Sequence, residues 1–260
     1  MIYLQRHGPA DGSPVLLLHG VGLGHHMWTR CLPALAVQHV LLPDLRGHGQ
    51  SPPATPGIAL SDLADDVAVH LDRPTHVVGF SLGAMVAQHL AATQPHLVRS
   101  LTLVSSVAER SPTERAAVRE RLQRAANDMT ASAEAAVARW FTPQWRQREP
   151  AVVEQVRDQL LANDPDSYVA CYRLFADADT EVAALQHLIS APTLVMTGEY
   201  DTGSTPAMAQ RLGDAIPNTR AVVVVPGARH LLPLEQPYAV TSALHTLISE
   251  VEDHEHSHHV

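Results

Sequence analysis

Val77-Val78-Gly79-Phe80-Ser81-Leu82-Gly83 is the stretch from which the fold of this 260-residue chain can be read. The apolar residues that open it read as the end of a buried strand. From Leu82 to about residue 93 the pattern is that of a helix. Between the two stands a serine with glycine two places before and two places after. A strand that passes straight into a helix at a serine holds that residue in a tight, strained turn and pushes its hydroxyl into a cleft. The small flanking residues let neighbouring chain pass close by. Ser81 is therefore the candidate nucleophile.

Outward from this turn the chain alternates strand and helix. Val15-Leu16-Leu17-Leu18 and Val40-Leu41-Leu42 read as buried strands before it, and Leu101-Thr102-Leu103-Val104 as a fourth strand after it. Ser61 reads as the N-cap of a helix whose face carries Leu63, Val67 and Leu71. Ile2–Arg6 reads as the second strand of an opening hairpin, with almost nothing left for the first. Continuous apolar strands alternating with helices predict a mostly parallel sheet covered on both faces, an α/β fold.

The rhythm changes over residues 107–188, which read as helices only. Ser111-Pro112-Thr113-Glu114 is a capping box with proline at the first helical position. Strand rhythm resumes at Thr193-Leu194-Val195-Met196 and over residues 221–225, and a last helix covers about residues 238–251. The expected organisation is a core of residues 1–106 and 189–251 with a helical cap, 107–188, inserted after the fourth clear strand. Ligands of open α/β sheets bind at the carboxyl ends of strands, where such an insertion lies. The histidine-rich end, residues 252–260, is expected to be disordered.

A serine hydroxyl is a weak nucleophile at neutral pH and needs an adjacent base. With this kind of serine turn, an acid and then a histidine follow in chain order. His230, in Gly227-Ala228-Arg229-His230 after the last strand, is the candidate base among 17 histidines. Gly198-Glu199-Tyr200-Asp201 follows the preceding strand and offers two carboxylates. Asp201 lies further into the loop and is preferred, with Glu199 as the fallback. It is expected to accept the His230 ring N–H and hold its tautomer. His19-Gly20-Val21-Gly22 follows the first clear buried strand. The backbone amides of Val21 and Leu82 are the expected oxyanion hole, with His19 bracing the loop.

His19-Gly20, Gly79-x-Ser81-x-Gly83, Gly198-x-x-Asp201, Gly227-x-x-His230 and Asp44-Leu45-Arg46-Gly47-His48-Gly49-x-Ser51 together resemble the α/β-hydrolase superfamily over almost the whole chain. Within it the chain is most similar to 3-oxoadipate enol-lactonases. That likeness rests on Met27-Trp28, Arg139-Trp140-Phe141-Thr142-Pro143, Ala176-Asp177-Ala178-Asp179 and Leu234-Glu235-Gln236-Pro237. It departs from them at the oxyanion loop, where an Asn-Ser-Leu-Gly sequence is often found. The resemblance implies a serine hydrolase acting on a small carboxylate-bearing lactone by two-step acyl transfer, with no metal or organic cofactor. Arg139 is the candidate for binding that carboxylate as a bidentate pair, with Arg173 next, and Trp140 is the candidate apolar wall. The rival readings are a broad carboxylesterase or other lactonase, a hydrolase of carbon–carbon bonds in ring-cleavage products, and a non-catalytic hydrolase-like receptor. Dehalogenase and epoxide-hydrolase relatives carry aspartate where this chain has Ser81.

Bulk composition sets the outer limits. The net charge of −9 speaks against a binder of nucleic acid or of anionic membranes, which needs a basic face. No apolar run approaches the roughly 20 residues that span a bilayer. No leader is evident at the start, so a cytoplasmic protein with a small-molecule substrate is expected. All 18 basic residues are arginine, which suggests a GC-rich bacterial genome. Cys31 and Cys171 stand far apart and read as free thiols. Oligomeric state has no signature in the sequence.

Overall fold

The computed structural model describes residues 1–258, with side chains through residue 254. Seven strands form one sheet: β1 (Leu4–His7), β2 (Pro14–Leu18), β3 (His39–Pro43), β4 (Thr75–Phe80), β5 (Val98–Val104), β6 (Thr193–Gly198) and β7 (Thr219–Val225). Their order is β1-β3-β2-β4-β5-β6-β7. β1 runs antiparallel to β3, pairing Gln5 with Leu42, and every other pair is parallel. β2, β4 and β6 are buried at every residue. That is why their central residues read as continuous apolar stretches rather than as alternating ones. The edge strand β7 is half exposed.

The helices are α1 (Leu60–Ala68), α2 (Leu82–Thr93), α3 (Pro112–Asn127), α4 (Met129–Trp140), α5 (Pro143–Arg148), α6 (Pro150–Leu161), α7 (Pro165–Asp177), α8 (Asp179–Leu185), α9 (Pro206–Ala215), α10 (Leu232–Glu235) and α11 (Pro237–His258). α2 packs on β4 and β5, α9 on β6 and β7, and α11 on β5 and β6. Six helices, α3 to α8, lie between β5 and β6 in the chain. The capping box expected at Ser111 is formed. Ser111 Oγ accepts the Glu114 N–H (3.3 Å), and Glu114 Oε2 accepts the Ser111 N–H (2.7 Å).

Two boundaries differ from the sequence reading. α1 starts at Leu60 rather than after Ser61, because the Asp62 carboxylate accepts the Ala59 N–H (2.9 Å) and closes the first turn two residues earlier. The disorder expected from residue 252 is not what the described residues form, since α11 continues to His258. Glu252 anchors that extension, accepting from Ser13 Oγ (2.6 Å) and Arg99 Nη1 (3.1 Å). Residues 259–260 of the expected tail lie outside the described residues. Among the described residues no helix is long and apolar enough to cross a membrane.

Candidate active site

Ser81 joins β4 to α2 with φ 53° and ψ −112°. A side chain at positive φ is strained by about 1–3 kcal/mol and persists only where surrounding bonds impose it. Here the Ser81 N–H donates to Val104 O (3.0 Å), and Ser81 O accepts from the amides of Ala84 (3.1 Å) and Met85 (3.3 Å). The flanking glycines are steric requirements. A Cβ on Gly79 would stand 2.4 Å from Gly83 O, and one on Gly83 would stand 2.5 Å from His19 O. β4, α2 and the end of β2 thus meet at distances that no larger residue allows.

The loop after β2 is fixed by buried polar groups. Leu45 N–H donates to His19 Nε2 (2.8 Å), so the ring proton sits on Nδ1, which donates to Gly20 O (2.8 Å). Asp44 Oδ1 accepts from His25 N (2.9 Å) and His25 Nδ1 (2.8 Å), and its Oδ2 accepts from Gln50 N (3.0 Å). Burial pushes the Asp44 carboxyl upward, but the bonds from Gln50 and His25 outweigh it and hold the group below its ordinary range. Val21, at the centre of this loop, lines a cavity shared with Ser81 and His230. Leu82 is the first residue of α2, where helix geometry leaves the N–H without an intrahelical partner. Among the described residues neither the Val21 nor the Leu82 N–H donates to a protein carbonyl.

His19 and His48 make the fold acid-sensitive. Burial brings His19 down to about 4 and His48 to about 3, from an ordinary value of 6.5. Their native forms are neutral, so above pH 6.5 neither contributes a pH dependence. As the pH falls below 6.5 the unfolded chain takes up protons that the folded chain refuses, and stability is lost until the native rings titrate. Each ring held neutral costs about 1.4 kcal/mol for every tenfold rise in proton concentration below that point. The two together are expected to remove on the order of 5 kcal/mol between pH 7 and pH 4. Urea midpoints measured across that window test this. His19→Asn is expected to flatten the slope, and an unchanged slope would rule His19 out as a source.

The carboxylate beside His230 is that of Asp201. His230 Nδ1 lies 2.6 Å from Asp201 Oδ2, and both residues are buried. Asp201 Oδ1 accepts the amides of Gly203 (2.8 Å) and Ser204 (2.9 Å). Glu199, the fallback acid, points elsewhere and accepts the Gly227 N–H (2.8 Å). Ser81 and His230 line the same cavity, though no hydrogen bond joins them here. The ring of His230 is flanked by Phe80, with centroids 5.0 Å apart, and by Trp140 at 6.0 Å.

Arg139 and Trp140 also line this cavity, from the end of α4. Arg173 is exposed and does not. Three contributors were not singled out from the sequence. Ser105, itself at φ 48°, donates to the His230 carbonyl (2.7 Å). Glu235 ties the two parts of the chain together. Its carboxylate accepts from Thr142 N (3.1 Å), Thr142 Oγ1 (2.8 Å) and Arg229 N (2.9 Å). Arg121 of α3 reaches the cavity as well. It stands one position before Leu122 and three after Val118, both on the buried face of that helix. A charged residue beside that face was the available signal. The space between these side chains is narrow, about 30 Å³, enough for one or two waters.

Comparison with known proteins agrees with this construction. The family model described as alpha/beta hydrolase fold matches residues 13–237. The chain is 28% identical over 239 residues to (E)-2-((N-methylformamido)methylene)succinate hydrolase of Acinetobacter baylyi, covering 90% of this chain and 89% of the relative. It is also 28% identical, over 246 residues, to 3-oxoadipate enol-lactonase 2 of the same organism, covering 93% and 90%. The crystal structure of the enol-lactonase from Burkholderia xenovorans LB400 superposes with a TM-score of 0.87 at 27% identity, covering 95% of this chain and 96% of that one. With the serine turn, the strand order and a family match across most of its length in agreement, the chain belongs to the α/β-hydrolase fold family.

Proposed function

We propose that this hydrolase is a serine enzyme that cleaves a small ester or lactone by two-step acyl transfer. Ser81 is the nucleophile, His230 the general base and Asp201 the acid that orients it. The observation that carries this reading is the 2.6 Å contact between His230 Nδ1 and Asp201 Oδ2, with His230 in the same cavity as the strained Ser81. An Nδ1–H given to Asp201 leaves the Nε2 lone pair to take the serine proton. Ser81 Oγ attacks the carbonyl carbon, and the proton passes to Nε2. The amides of Val21 and Leu82 receive the developing oxyanion, each worth roughly 3 kcal/mol of barrier in such sites. His230 then protonates the leaving oxygen and activates water to release the acid.

Helices α3–α8, within residues 107–188, act as a cap over this chemistry. Arg139 binds a substrate carboxylate, and Trp140 forms an apolar wall beside His230. The space of about 30 Å³ beside Ser81 is narrow for a ring substrate, so on this reading cap side chains have to give way on binding. A small carboxylate-bearing lactone is the best fit. Support comes from the half-buried Arg139 in the cavity and from relatives named for a succinate derivative and a 3-oxoadipate enol-lactone.

The test is turnover of 3-oxoadipate enol-lactone beside p-nitrophenyl acetate, with a fluorophosphonate probe followed by peptide mapping. One label per chain, on Ser81, and preferential lactone turnover are expected. Preference for the simple ester would replace the lactonase reading by a broad carboxylesterase. Labelling without turnover of either substrate would favour a receptor.

A further inference from the structure

Many buried or half-buried arginines of this chain are matched by a carboxylate, although among the described residues Arg146 and Arg229 are not. Arg110 and Arg115 meet Asp179, Arg30 meets Glu149, and Arg46 meets Asp66. Two in the active-site cavity are not. Arg121 enters from α3 and Arg139 from α4, and both are half-buried. Among the described residues neither guanidinium lies within ion-pair distance of a carboxylate. Arg139 Nη1 finds only the Ala135 carbonyl, at 3.4 Å, and among the described residues the Arg121 guanidinium makes no hydrogen bond. The carboxylate near the cavity, Asp201, is already occupied by His230, Gly203 and Ser204.

Two like charges facing one narrow apolar space are unfavourable until an anion joins them. The electrostatics agree, since burial lowers the proton affinity of Arg139 and the Arg121 charge adds to that effect. Phe80, Trp140, Tyr172 and Phe175 give the cavity an aromatic wall, beside smaller and polar residues, Ser81 and His230 among them.

We infer that Arg121 and Arg139 together form the receptor for a carboxylate at the far end of the acyl chain, and that Arg121 is a specificity-determining residue. The preferred substrates are then monoesters or lactones of short dicarboxylic acids. The dicarboxylate product, holding the same pair, is a competitive inhibitor. This rests on the serine-hydrolase reading, which sets the scissile carbonyl at Ser81 and so defines the far end.

The experiment has two arms, each run on the full chain as wild type, Arg121→Gln, Arg121→Lys and Arg139→Gln. In the first, calorimetry measures binding of succinate, glutarate and adipate against pentanoate and inorganic phosphate. At least one dicarboxylate is expected to bind at least about 10-fold tighter than pentanoate, and to lose about 10- to 100-fold with either glutamine variant. Arg121→Lys is expected to keep part of that affinity. In the second arm, kcat/KM for mono-p-nitrophenyl glutarate is divided by that for p-nitrophenyl pentanoate. The ratio is expected to fall about 10- to 100-fold in both glutamine variants, through KM. Ser81-dependent hydrolysis of the neutral ester, with no dicarboxylate preference in either arm, would overturn the inference and leave the serine-hydrolase reading standing. Equal binding of phosphate would overturn it too, as a general anion site. If neither ester is hydrolysed, the underlying reading fails and calorimetry alone decides whether the pair binds dicarboxylates.

Discussion

Ser81→Ala is expected to lower kcat/KM for the best ester or lactone substrate by about 10⁴- to 10⁶-fold, while the melting temperature stays within about 2 °C of wild type. The two expectations come from the same geometry. Ser81 sits at φ 53°, and alanine carries the same Cβ into the same strained turn, so the substitution neither relieves nor adds strain. The bonds that impose the turn run through the backbone N–H and C=O of residue 81 and survive. Among the described residues the Oγ has no hydrogen-bond partner to lose, so the variant leaves no buried group unsatisfied. What disappears is the atom that attacks in the proposed mechanism. The residual rate comes from the oxyanion donors and from substrate positioning. Activity above about one tenth of wild type, in protein that melts normally, would remove Ser81 from the mechanism.

Much of the architecture was legible because its strands are buried on both faces. β2, β4 and β6 have no exposed residue, so the sequence shows an apolar stretch in each, Val15-Leu16-Leu17-Leu18, Val77-Val78 and Leu194-Val195-Met196, without polar alternation. The serine turn announces itself through steric need, because Gly79 and Gly83 stand where any Cβ would strike backbone. Asp201 and His230 could be chosen by their place after β6 and β7, since strand ends in a parallel sheet converge on one edge.

What escaped depended on side chains that meet across long sequence distances. Glu252 reads as part of a polar tail until Ser13 and Arg99 are known to stand opposite it. Glu235 reads only as part of the Leu234-Glu235-Gln236-Pro237 likeness until Thr142 and Arg229 arrive on its carboxylate. Arg121 reads as one more solvated arginine on α3. Its meaning depends on the helix's rotation about its own axis, which the spacing of Val118, Leu122 and Ala125 fixes only to within a residue's arc. The start of α1 moved by two residues for a similar reason. Asp62 supplied the capping oxygen, and a search for a residue of cap type selects Ser61 instead.

Asp201→Asn tests the second large effect, and the hydrogen bonds around the carboxylate decide its outcome in advance. Oδ1 accepts two backbone amides, from Gly203 and Ser204, and Oδ2 faces His230 Nδ1. An asparagine must keep its carbonyl oxygen on the two amides, because turning the NH₂ toward them would set donor against donor twice. The NH₂ is then directed at Nδ1, which has to become an acceptor. The ring proton moves to Nε2, the nitrogen that must be a lone pair to take the proton from Ser81. Shape and burial are nearly unchanged, so the fold is expected to persist and substrate binding to suffer little. The loss is expected in kcat, by about 10⁴-fold. Asp201→Ala removes the orienting group without forcing the wrong tautomer. If tautomer control is the main role, the alanine variant retains more activity than the asparagine variant. If Asn is instead the milder change, Asp201 acts chiefly by holding the Gly203–Ser204 turn, and its proposed role toward His230 falls. Nitrogen chemical shifts of the His230 ring in the two variants, read beside kcat, separate these outcomes.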